Sequence, residues 1–420
     1  MRPSPPLVKY GSTETIVSTS LSSGYLYRLS FGLPMLRRFR IAIIGTLVAV
    51  LPMARSAAQS SQPLSKDVVA ARIDSMARAR MVMGPVGMSV AVSRGHEVLF
   101  ERAYGMADIA AGRPATAASI YRIGAVSGQF TAALVLRQVD KGKLALTDSI
   151  GRYLTTGLRP EWRSLTIEQL LSHTAGLPLD LKREGAPQEE ASTATMIAWA
   201  ARDTMRFAPG TRFGYSSVGY LLLGALVEKL YGKPYDAALR EEIASPLGLK
   251  TLGWCAEGGK DTLLTTPYED VFVDDRRPTG YMHPSRSLGA GGLCASAADL
   301  AAWNRALHGG RVLSPASYTA MTTPRAAPGG PPVNGWGIQV HNSPPWGIRT
   351  MWLLSGGAGF AAENAWFPAD SLSVTVLYNS FGGPAGPPFA LEIAQLLSPA
   401  ASVQQPTQPT SGGATAGTPR

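Results

Sequence analysis

The sequence predicts an α/β protein of the α+β type. An antiparallel sheet, assembled from N- and C-terminal segments, is flanked by helices and carries an inserted, mostly helical lobe. Three observations lead there. Segments of alternating β-formers lie towards both ends of the 420-residue chain, and the stretch between them reads as helices and loops broken by glycine and proline. A composition that is 45% hydrophobic and 16% charged is also ordinary for a chain that buries a sizeable core.

The chain opens on a leader, 1–58, holding Arg2, Lys9, Arg28, Arg37, Arg38, Arg40 and Arg55 against Glu14 alone. Six of the ten net positive charges therefore lie before the folded part, and the remainder is spread without a basic run. No nucleic-acid surface is expected. From Met35 the order is Arg37, Arg38 and Arg40, then an apolar run over 41–52, then Ser56-Ala57-Ala58 before Gln59. This is the layout of a signal peptide over 35–58. Its apolar run is too short for the ~20 residues that span a bilayer. The expectation is a periplasmic or secreted protein with no stable membrane span after cleavage. Translation from Met1 and from Met35 both fit.

The folded part is expected over 65–397. A helix over 67–80 sets Val68, Val69, Arg72, Ile73 and Met76 on one face, and β-formers over 86–93 and 97–104 flank the turn residues Arg94-Gly95-His96 as a hairpin. The apolar stretch over 126–140 ends on Lys141-Gly142-Lys143 and predicts a buried helix. The helical lobe, about 150–293, holds helices over 166–172, 193–201, 217–230 and 235–243. Strands return over 337–340, 349–354, 362–367 and 372–378, followed by a helix over 389–397. The tail, 398–420, has too little apolar content to fold. The two cysteines, Cys255 and Cys294, lack the spacing of a zinc site, so neither metal nor cofactor is expected. They are either a pair in an oxidising compartment or two small buried side chains.

Seven segments stand in order along the chain: Tyr104-Gly105-Met106-Ala107-Asp108, Tyr121-Arg122-Ile123-Gly124, Gln129-Phe130-Thr131, Leu171-Ser172-His173-Thr174-Ala175-Gly176, Tyr215-Ser216-Ser217-Val218-Gly219-Tyr220, Ser245-Pro246-Leu247-Gly248 and Ser355-Gly356-Gly357. Their order and spacing are more specific than any one alone. On these segments the chain resembles, over about 86–397, serine beta-lactamases of class C, D-alanyl-D-alanine carboxypeptidases among the penicillin-binding proteins, and their esterase relatives. The resemblance implies a beta-lactamase/transpeptidase-like fold. It also implies a serine nucleophile at a helix start with a lysine one turn later. Those positions are Ala125 and Gly128. The tyrosine of the second motif is Tyr215, its asparagine position is Ser217, and the cation or imidazole of the third is Leu354. No lysine of the chain follows a serine at that spacing, and no Gly-x-Ser-x-Gly occurs. The oxyanion donors that the resemblance implies are backbone N–H groups of Ala125 and Gly357. Binding positions are thus Ala125, Tyr215, Ser217, Ser355 and Gly357, around a cleft either open or filled. The family segments flanking one inserted region also imply that Cys255 and Cys294 pair.

The remaining polar candidates have plain readings. His173 is expected in a structural turn, Ser127 to point ~200° away from the Ala125 direction and bond to backbone, and Tyr215 to be buried. Three functions compete. One is a pseudoenzyme binding a peptide, cell-wall fragment or protein partner. Another is a divergent hydrolase using Ser127 or Ser217 with Tyr215 as base. The third is a structural extracellular domain. The missing lysine favours the first.

Overall fold

The period of two around Gly95 folds as a hairpin. Gly87–Arg94 (β1) and Glu97–Asp108 (β2) pair antiparallel, with Gly95 in the left-handed region (φ 53°) that the tight turn requires. The computed structural model describes residues 64–255, 262–269, 277–280, 282–325, 334–341, 349–381 and 387–398. The expected signal peptide and the tail beyond Ser398 lie outside them. Helix Lys66–Val82 (α1) precedes the hairpin, and Arg113–Pro114 (β3) lengthens its outer edge. Tyr121–Arg122 (β4) then leads through a 3-10 turn at Gly124–Val126 into Ser127–Asp140 (α2).

The lobe contributes Ile167–Leu171 (α3), Thr193–Ala200 (α4), Ser217–Tyr231 (α5), Tyr235–Leu239 (α6) and Ser245–Leu247 (α7), then the short strands Gly253–Trp254 (β5) and Leu293–Ala295 (β6). Ala297–His308 (α8), Pro315–Thr322 (α9), Gln339–His341 (β7), Thr350–Gly357 (β8), Phe360–Phe367 (β9), Leu372–Tyr378 (β10) and Phe389–Leu397 (α10) complete the described chain. The sheet runs β3-β2-β1-β10-β9-β8-β7, so strands from both chain ends meet at the β1–β10 seam as expected. Sequence reading gave no element to 294–333 and none to the three-stranded sheet β4-β6-β5; α8, α9 and β6 fill that gap.

Three layers result. Met88, Val90 and Val92 of β1 face α1 and α10 with Ile73, Val374, Val376 and Phe389, whereas Ala91 joins the core formed with α2, α8 and the lobe. Helix α2 is buried along nearly its whole length, its polar residues Ser127, Gln129, Thr131 and Gln138 included. One polar cluster crosses this second core. Asn304 of α8 donates to Asn364 Oδ1 (2.8 Å) and Ser373 Oγ (2.9 Å), while Thr375 Oγ1 donates to the same Asn364 oxygen (2.9 Å). Trp303 Nε1 donates to Gln129 Oε1 (2.9 Å), which ties α8 to α2 directly below the turn at 124–126. Cys255 and Cys294 are bonded to each other, with Cα atoms 5.0 Å apart, and so join the paired strands β5 and β6.

Candidate functional site

The site forms where α2 begins. Gly124 takes φ 51°, a conformation that favours glycine, and a Cβ there would lie 2.3 Å from Ser355 Oγ and turn that hydroxyl away. The next residue, Ala125, donates its N–H to Ser355 Oγ at 2.9 Å. The expected backbone donor is therefore present but already satisfied within the chain. One turn on, a Cβ at Gly128 would stand 3.1 Å from Cε1 of Tyr220, whose hydroxyl donates to the Leu171 carbonyl (3.0 Å). Ala125, Gly128, His173, Tyr215 and Tyr220 border a small cavity of about 40 Å³.

A larger cleft of about 510 Å³ opens beside it. Ala125, Tyr215, Ser217, Leu354, Ser355 and Gly357 all line this cleft, so the structure brings these sequence-derived positions together, with Gly128 on the inner cavity. Of the open and filled alternatives, the structure has the open one.

His173 sits in the left-handed region (φ 57°), where histidine is tolerated better than bulkier residues. Its Nδ1 accepts from the Ser216 N–H (3.2 Å), and its ring stacks on Tyr220 with centroids 4.8 Å apart. Burial lowers its pKa to about 4, so it is a neutral imidazole pinning the Tyr215 loop. The structural-turn expectation describes this geometry. Ser127 is fully buried, and its Oγ accepts from the Leu293 N–H (3.3 Å), the backbone of a neighbouring strand and not of its own helix.

The expectation for Tyr215 needs correction, because its side chain is 42% exposed and forms one wall of the cleft. The reason is the Ser216 N-cap. Ser216 Oγ accepts from Gly219 N–H (3.1 Å) and donates to Pro178 O (2.6 Å), which turns Ser216 inward and leaves Tyr215 outside the start of α5. Loss of water around its hydroxyl, and to a lesser degree the Asp180 charge, push the Tyr215 pKa up, against a hydrogen bond with Ser217. Tyr215 is thus protonated at neutral pH.

Two features escaped sequence reading. Arg183 holds Asp180 with both terminal nitrogens (3.0 Å each) on the cleft wall, and Arg122 reaches the carbonyls of Met282 (3.2 Å) and Gly291 (3.3 Å). A charged pair three residues apart in a loop gives no periodic signal. Arg122 did lie in a family segment, but nothing in the sequence shows its distant partners.

A comparison of the sequence with protein families matches the family described as Beta-lactamase over residues 73–397. The chain belongs to the beta-lactamase family. Among curated relatives it is similar to Esterase EstB of Burkholderia gladioli, 31% identical over 227 residues (48% of this chain, 55% of the relative). Penicillin-binding protein 4 of Amycolatopsis lactamdurans is 30% identical over 235 residues (53% and 61%). The chain spans about half the length of these relatives.

Among solved structures, the octameric penicillin-binding protein homologue from Pyrococcus abyssi superposes with a TM-score of 0.66 at 24% identity (78% of this chain, 77% of that one). The D-amino acid amidase from Ochrobactrum anthropi SV3 complexed with D-phenylalanine gives 0.65 at 22% (79% and 97%). These two likenesses show the fold. Within this beta-lactamase family fold, Ala125 and Gly128 occupy the start of α2, and no lysine lines either the cavity or the cleft among the described residues.

Proposed function

We propose that this chain is an exported, catalytically inactive member of the beta-lactamase family that uses its open cleft to bind a peptide, a cell-wall fragment or a protein partner. The observation that carries the reading is the first turn of α2, where a methyl group and a hydrogen atom stand at the positions the family pattern gives to nucleophile and base. Removing a nucleophile of this kind costs ~10⁶ in turnover, about 8 kcal/mol of transition-state stabilisation, and removing its base adds little because the two act as a unit. The pattern over 35–58 supports export.

The divergent-hydrolase reading finds less support. Ser127 Oγ is spent on Leu293, and Tyr215, protonated at neutral pH, is no base for Ser217. The test is labelling of the purified mature protein with a fluorophosphonate and with a fluorescent penicillin, read by intact mass. No covalent adduct is expected with either probe. A stoichiometric adduct on Ser127 or Ser217 overturns the proposal and establishes a rebuilt hydrolase.

A further inference from the structure

Helix starts attract anions because their first N–H groups have no partner in the helix. At α2 that attraction is spent inside the molecule. The Ala125 N–H points at Ser355 Oγ (2.9 Å), and glycine at 124 leaves room for that oxygen, since a Cβ there would lie 2.3 Å from it. One N–H has one proton. A carbonyl or carboxylate oxygen entering the cleft at Ala125 must therefore first displace the Ser355 hydroxyl, so its own hydrogen bond to that N–H is gained only net of the one it breaks.

What the cleft offers instead is a different set of groups. The Tyr215, Ser217 and Ser287 side chains carry hydroxyls, and the Asp180–Arg183 pair supplies a charge-balanced donor and acceptor. We infer that Ser355 is a specificity-determining residue that keeps acyl and carboxylate oxygens off the Ala125 amide, so that ligands of the cleft are held by its other polar groups. The inference rests on the reading of the cleft as a binding site.

The experiment follows the Ala125 amide itself, in protein labelled with ¹⁵N-alanine, with its signal assigned by its loss in Ala125→Gly. The probe is N-acetylglycine, which carries an amide carbonyl and a carboxylate. In Ser355→Ala the signal is expected to titrate with an affinity ~10-fold tighter than in the unmodified protein, the size of one hydrogen bond no longer competed for. Ser355→Thr retains the hydroxyl and is expected to behave as the unmodified chain. Equal titration of the Ala125 amide in the unmodified protein and in Ser355→Ala overturns the inference, as does weaker binding by Ser355→Ala. Covalent labelling in the preceding experiment would defeat the inactive-binder reading whatever the unlabelled protein shows at the Ala125 amide, so the two failures are distinguishable.

Discussion

Tyr220 makes Gly128 more than a lost base. Its ring lies 3.1 Å from where a Cβ would sit, and the hydroxyl bond to Leu171 holds it there, so a side chain at 128 must shift that ring by a few tenths of an ångström before it reaches the small cavity beside it. Ala125→Ser alone is expected to stay unlabelled by fluorophosphonate for want of a base. Ala125→Ser with Gly128→Lys is expected to lose ~1–3 kcal/mol of stability by overpacking, and to label no more than marginally, which thermal unfolding and intact mass will check. At this scale the sequence identified the lining well, since Ala125, Tyr215, Ser217, Leu354, Ser355 and Gly357 follow from the order of motifs. It did not give the hydrogen bond that closes the Ala125 donor, because residues 125 and 355 meet only through the placement of β8 against the start of α2. The exposure of Tyr215 was hidden for a related reason, being set by which way Ser216 turns to cap α5.

Helix α8 shows what an element-level reading lacks. Its buried residues are Ala297, Leu300, Ala301, Trp303, Asn304, Ala306 and Leu307, so Leu300, Trp303 and Leu307 do set an apolar stripe at helical spacing that the reading of the sequence passed over. The end signals were present as well. Ser296 accepts from the Asp299 N–H (3.2 Å) at the start, and His308-Gly309-Gly310 marks the end. The strands at 350–357, 360–367 and 372–378 were legible because each keeps its β pattern between turn residues. The two-residue strands β4 and β5 were not, since partners and not local sequence define them. The clearest consequence concerns Asn304, whose amide bridges α8 to β9 and β10. Asn304→Ala leaves the buried Asn364 and Ser373 short of partners and is expected to cost ~3 kcal/mol. A lower denaturant midpoint with an unchanged slope would verify it.

Across the whole molecule, burial suppresses the charge of His173 and His308, and lowers the pKa of His341 as well. Burial lowers the pKa of His173 to about 4 and of His308 to about 3, against 6.5 for the ordinary group. Below pH 6.5 the unfolded chain takes up these protons while the folded chain does not, so stability is fully present above that value and falls as pH drops towards 4. The expected slope approaches ~1.4 kcal/mol per pH unit for each histidine. Urea unfolding at successive pH values measures it, and in His308→Phe the slope between pH 6.5 and 4 should become shallower, with His173 and His341 still contributing. The seam at the centre of the sheet bears on something quite different, the birth of the protein. Met88 pairs with Tyr378, 290 residues later, so β1 has no neighbour on that side until nearly the last of the domain is made. At 5–20 residues per second of synthesis that interval is roughly 15–60 s. Throughout it the Val90-Ala91-Val92 edge is an open template for the wrong strand, and a chain cut short before β10 would keep that edge for good.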